Sequence, residues 1–163
     1  MTHAMSRPVD TRRPEIKVTK WDLGNIECLL SIHATQWTWR SVEFLVRELM
    51  RATIVEESMI PADIVTMGSR VEYREEGRNS SQVVTLAYPG ERELFDDAIS
   101  VLTPIGAALL GLAAGQSICF AGSNDRPITI KIMRVIYQPE AEHRTRSPAV
   151  PPRPARRPAV LED

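Results

Sequence analysis

The sequence predicts an α+β fold: a short N-terminal antiparallel helical hairpin, then a domain of antiparallel strands with one covering helix. Three observations carry this. Apolar residues recur at helical spacing between Leu23 and Met50, they alternate with period two from Val65 onward, and an almost wholly apolar stretch follows Thr103-Pro104. A chain of 163 residues with 43% hydrophobic content has the means to build one ordinary core with a helical appendage.

Taken in order, residues 1–14 carry Pro8, Pro14 and scattered charge without periodicity and read as a disordered N-terminus. Ile16 and Val18 suit a short extended piece. Thr19 stands three residues before Asp22, where its oxygen can accept an orphan backbone N–H at a helix start. Leu23, Ile26, Leu29, Leu30 and His33 then mark one helix face. Ser41 is the expected cap of a second helix, in which Val42, Leu45, Val46, Leu49 and Met50 share a face opposite Arg40, Glu43, Arg47, Glu48 and Arg51. Two such helices joined by a short link predict an antiparallel hairpin over 15–60.

Pro61 closes that unit, and a β-rich domain is expected over 61–140. Val65, Met67, Val71 and Tyr73 alternate with polar residues as a half-buried strand. Glu75 to Ser81 is a polar turn, Gln82 to Tyr88 a second strand, and Ala98 to Leu102 a short third one. Pro104 fits the first turn of a buried helix running to about Leu112, with Thr103 as its cap. Ser117 to Ala121 and Ile128 to Ile136 complete the strands, with a bulge near Arg134, where the alternation slips. Residues 141–163 read as a disordered tail: 143–160 hold five arginines and five prolines with no acid.

Several function classes find no support in the residues. The net charge of −1 gives no global pull toward nucleic acid or an anionic membrane. No apolar run approaches the roughly 18 residues that cross a bilayer, and residues 1–13 lack the apolar stretch of a signal peptide. Two unpaired cysteines, Cys28 and Cys119, suit reduced thiols in a cytoplasmic protein and are expected in or beside the core. Gly106 and Gly111 have phosphate-loop spacing, but Leu112 stands where the lysine is required. His3, His33 and His143 lack metal-ligand spacing. The acid pairs Glu56-Glu57, Glu75-Glu76 and Asp96-Asp97 suit solvated loops. Trp37 and Trp39 flank one residue in the helix link, and either they cover the hairpin and the domain below or they form an exposed tip that inserts into a partner.

The residues from Ile99 to Leu112, ISVLTPIGAALLGL, followed by Gly115-Gln116, resemble the Rnk family, the regulators of nucleoside diphosphate kinase. So do Val65 to Val71, Thr85 to Pro89 and the ending Tyr137-Gln138-Pro139-Glu140, and the resemblance spans about residues 15–140. That family is similar to the Gre transcription factors, which implies a Gre-type, FKBP-like C-terminal domain and RNA polymerase as partner. The resemblance further implies docking on the rim of the polymerase secondary channel with the hairpin pointing inward. In Gre factors two acidic residues at the hairpin tip hold a catalytic magnesium ion that induces transcript cleavage. Here Ser31 to Ser41 contains no Asp or Glu, and magnesium requires hard oxygen ligands. Gre factors also carry a polar or acidic residue before the Ser/Thr-Pro step, where this chain has Leu102.

The expected function is therefore a non-enzymatic transcription regulator, without cofactor or metal, that binds RNA polymerase and competes with Gre-type factors. The partner-binding residues expected are Leu102, Thr103, Pro104 and Ile105 at the leading edge of the buried helix, and Trp37, Trp39 and Arg40 at the tip. The alternative is a small ligand-binding or adaptor protein that uses the acidic loop 91–97 or the Trp37/Trp39 tip. The Arg/Pro tail offers at most weak, non-specific phosphate contacts.

Overall fold

The computed structural model of the chain describes residues 13–33 and 39–146, the side chains of 33 and 39–41 excepted. The N-terminal part is helical. Strand β1 (Lys17–Thr19) leads directly into α1 (Lys20–His33), and α2 (Trp39–Arg51) leads into β2 (Thr53–Val55). The Asp22 N–H donates to Thr19 Oγ1 at 3.1 Å, the cap expected from the sequence. Helix α2 opens two residues ahead of Ser41. β1 and β2 pair in parallel, Lys17 opposite Thr53, and so fasten the entry and exit of the helical part to each other. The tip with Trp37, on which the hairpin reading turns, lies outside the described residues.

Only part of the expected apolar face of α2 is buried. Leu45 and Leu49 join the core, whereas Val46 and Met50 are exposed. The buried stripe turns instead through Glu48, whose carboxylate takes guanidinium N–H groups from Arg13 (3.0 Å) and Arg51. A carboxylate this deep is tolerable because two cations accompany it.

The remainder is a five-stranded sheet in the order β5-β4-β3-β7-β6, built from β3 (Arg70–Glu75), β4 (Ser81–Ala87), β5 (Ala98–Ser100), β6 (Ser117–Ala121) and β7 (Pro127–Tyr137). Four strands pair antiparallel, as expected, but β5 runs parallel to β4, Thr85 opposite Ala98. The correction has a plain cause: the 3-10 helix Pro89–Leu94 carries the chain back alongside β4 before β5 begins. The strand expected from Val65 starts only at Arg70. Thr66 to Ser69 form a turn in which the Ser69 N–H donates to Thr66 O (3.0 Å) and Gly68 adopts φ +79°. Opposite β3, β7 holds extra residues at Met133 and Ile136, on either side of Arg134.

Helix α3 (Pro104–Leu109) is shorter than expected. It stops because Gly111 takes φ +82° where the chain passes Ile16 and Lys17 so closely that a Cβ would lie 2.9 Å from the Ile16 Cβ. A last helix, α4 (Pro139–Arg146), covers a stretch assigned in part to the disordered tail. Pro139 sits at its first position, Glu140 and Glu142 in its first turn, and His143, Arg144 and Arg146 in its last, so its charges complement the helix dipole. The core is continuous across the boundary at residues 60 and 61: Ile16, Val18, Ile26 and Leu45 from the helical part pack with Val71, Leu86, Leu109 and Ile132. Among the described residues no helix is long and apolar enough to cross a membrane.

Candidate functional site

The sequence pointed first to the leading edge of α3. There Ser100, at the end of β5, organises the turn. Its carbonyl accepts the Thr103 N–H (3.0 Å) and the Thr103 hydroxyl (2.7 Å), and its Oγ accepts the Leu102 N–H (3.2 Å). Thr103 Oγ1 in turn accepts the Gly106 N–H at 3.1 Å, closing the helix cap. Gly106 lies so near that turn that a Cβ would stand 1.9 Å from Ser100 O. Leu102 is only 5% exposed and belongs to the core. Thr103, Pro104 and Ile105 are half-buried, and Ile105 packs against the core. Trp37 falls outside the described residues, and Trp39 and Arg40 open α2 with their side chains outside them. The structure thus does not bring the tip and the α3 edge together as one described surface.

Other candidates resolve into structural roles. The Asp97 carboxylate accepts from Arg70 Nε (2.9 Å) and Thr85 Oγ1 (2.8 Å). Although burial pushes its pKa up, those two bonds hold it below the usual carboxylate range. Asp97 is therefore spent on fastening β3 to β5, and Asp96 is exposed. Cys28 and Cys119 are both exposed free thiols, which corrects their expected place in or beside the core. Each occupies a position whose backbone turns its side chain to solvent, Cys119 between the buried Ile118 and Phe120 of β6. Among the described residues no group of three or more His, Cys, Asp or Glu side chains could hold a metal ion.

A site that sequence reasoning missed lies between α1, the turn before β3, the start of the 3-10 helix, and α4. It is a cleft of about 670 Å³ with mostly apolar walls. Trp21 stands on its rim, 68% exposed, and Met67, Gly68 and Pro139 form part of its surface. Asp22 is 3% exposed, and its Oδ2 accepts the Met67 N–H at 3.1 Å. Burial pushes the Asp22 carboxyl up to about 7, against the opposing pull of the Met67 bond; the Glu140 carboxylate adds to the rise. Glu57 accepts the Trp21 N–H (2.7 Å), and Glu140 the Thr66 hydroxyl (2.7 Å). The Glu91 carboxylate accepts the Tyr88 N–H at 3.3 Å, and Arg144 donates to the Glu57 carbonyl at 3.0 Å. The Tyr88 hydroxyl is buried and makes no well-formed hydrogen bond; burial and the nearby Asp22 push its pKa up, against a smaller opposing pull from Asn25. His143, read as part of the tail, also lines the cleft.

Comparison with known proteins follows the fold. Residues 60–137 match the family described as "Transcription elongation factor, GreA/GreB, C-term". A solved structure, "Prokaryotic transcription elongation factor GreA/GreB from Nitrosomonas europaea", is 33% identical with a TM-score of 0.60, and covers 76% of this chain and 100% of that one. "Transcription elongation factor GreA" of Syntrophomonas wolfei is 34% identical over 67 residues, 41% of this chain and 42% of that protein. The fold is thus that of a Gre-type C-terminal domain joined to a helical N-terminal part.

"Regulator of nucleoside diphosphate kinase" of Escherichia coli is 35% identical over 129 residues, 79% of this chain and 94% of that protein. The chain belongs to that family, a class of regulators related to the elongation factors and not of enzymes.

Proposed function

We propose that this chain is a cytoplasmic transcription regulator that binds RNA polymerase at the secondary channel, competes there with Gre-type factors, and does not stimulate transcript cleavage. The Gre-type domain would dock on the channel rim, with α1 and α2 as an inward-pointing hairpin. The half-buried Thr103, Pro104 and Ile105 are the proposed contacts on the domain, and Trp37, Trp39 and Arg40 those at the tip.

The observation that carries this reading is the joint one: membership of a Gre-related family and a stretch spanning the end of α1, the link and the start of α2, Ser31 to Ser41, free of carboxylates. A factor that recruits a magnesium ion to the polymerase needs anionic oxygens at that tip. Occupancy without such ligands blocks the channel and supplies no chemistry. The test is co-purification with core RNA polymerase, displacement by a Gre factor, and transcript cleavage in stalled elongation complexes. Association, mutual displacement and no added cleavage are expected. Failure to associate, or cleavage above the background of polymerase alone, would refute the proposal.

A further inference from the structure

We propose that the cleft between α1 and α4 is a binding site for an organic cation, an ammonium or guanidinium group carried on an apolar or aromatic stem. This inference is independent of polymerase binding and concerns residues other than those of the α3 edge.

Charge is the first argument. Asp22, Glu57, Glu91 and Glu140 line the cleft, and Arg144 is the one permanently cationic side chain among the lining residues. Each of the four carboxylates accepts a bond from a backbone N–H or a hydroxyl, and none of those bonds brings a positive charge. The second argument is a contrast within this protein. Glu48 is as deeply buried as Asp22, and the fold surrounds it with Arg13 and Arg51. Where the protein buries a carboxylate for architecture, it supplies the counter-charge. At Asp22 no cationic side chain among the described residues plays that part, and burial, with Glu140 and Glu57 nearby, leaves the carboxyl titrating near neutrality. A buried acid held in that condition beside a cleft is the pattern of a group awaiting a partner.

The walls specify the rest of the ligand. Trp21 presents most of its indole to solvent at the rim, where a ring face attracts a cation and stacks on an apolar stem. Met67, Gly68 and Pro139 offer apolar surface, and Gly68 is unsubstituted where a Cβ would lie 3.0 Å from the Pro139 Cγ. A volume of about 670 Å³ falls in the range of small-molecule sites. The cation can come from a free amine or from a side chain of a polypeptide, and the two are separable by experiment.

The full chain is titrated with phenethylamine hydrochloride, with the neutral 2-phenylethanol, and with acetyl-Pro-Arg-Pro-amide, by calorimetry and by amide and indole NMR shifts. The expected result is binding of the amine or the arginine peptide, with shifts at the Trp21 indole and the Gly68 amide, and at least about tenfold weaker binding of the alcohol. Whichever cation binds more tightly identifies the source. Trp21→Ala and Glu140→Gln each weaken the cation by about three- to tenfold; both change exposed or half-exposed side chains, so the fold is retained even if Asp22→Asn proves unstable. Equal binding of amine and alcohol, shifts that map elsewhere, cation binding unaffected in both variants, or no binding of either cation overturns the proposal.

Discussion

Replacing Asp22 by Asn should remove a large pH dependence of stability between pH 4 and pH 8. The carboxyl is buried, and its pKa is raised from 3.8 to about 7 in the folded protein. Between those values the folded chain keeps a proton that the unfolded chain has released. Stability contributed at this site is therefore present below pH 4, falls as pH rises, and levels off above about pH 7. A tenfold difference in proton affinity between the folded and unfolded chain is worth about 1.36 kcal/mol, so the parent loses about 3 kcal/mol between pH 4.5 and pH 8 through this group alone. Asn keeps an oxygen to accept the Met67 N–H and carries no charge, so the variant lacks that loss. Urea unfolding of both proteins at pH 4.5, 6, 7 and 8 should show the variant gaining on the parent by about 3 kcal/mol across the range. Glu140 and Glu57 face Asp22 from α4 and from the segment after β2, and each raises its pKa. Glu140→Gln should accordingly make the parent's slope shallower. A difference between parent and Asp22→Asn that stays constant with pH would refute the reasoning, because an ordinarily titrating Asp would produce no such trend.

Two further substitutions test the packing. Gly106→Ala places a Cβ where Ser100 O already stands, 1.9 Å away; a loss of about 3 kcal/mol or more and a fall in melting temperature on the order of 10 °C are expected by circular dichroism, and an unshifted melt would contradict the geometry. Gln138→Leu removes the Nε2 group that donates to Pro61 O and Ile64 O at 2.8 Å each. It should cost about 2 kcal/mol in denaturant unfolding, the gain from losing the unpartnered Oε1 offsetting part of the penalty; an unchanged midpoint would show that those carbonyls find other donors.

What the sequence disclosed was local. The Thr19 cap needs only Asp22, three residues on, and the Thr103-Pro104 start of α3 only its own neighbours, so both were readable. The extent of α3 was not, because Gly111 is required by Ile16 and Lys17, almost a hundred positions away in the chain. The parallel place of β5 depends on how the 3-10 helix returns the chain, which the alternation of apolar residues does not encode. Helix α4 did leave a signal, Pro139 followed by acids and then bases, but the Arg/Pro composition behind it masked the pattern. The cleft was the least legible feature of all. Asp22, Met67, Tyr88 and Glu140 belong to four separate segments, and each has an innocent local reading as cap, strand or loop.

The same long-range contacts bear on how the helices can act. The helical part is not strung to the domain by a linker. β1 and β2 clamp its two ends, the Lys17 N–H donates to Gly111 O at 3.1 Å, and Phe44 of α2 meets Phe120 of β6 with ring centroids 5.9 Å apart. Glu48 holds Arg13 and Arg51 against the base of α2, and Leu45 and Leu49 are buried in the core that the sheet shares. A hinge would have to break a ladder, an ion-pair cluster and a piece of the core at once. The direction in which α1 and α2 leave the domain is therefore set by packing. On the proposed function, what the helical part does at the polymerase depends on which residues its link carries. The stretch from Ser31 to Ser41 carries two tryptophans and an arginine and no carboxylate, so on that proposal it brings bulk and positive charge, and no anionic ligand for a metal ion.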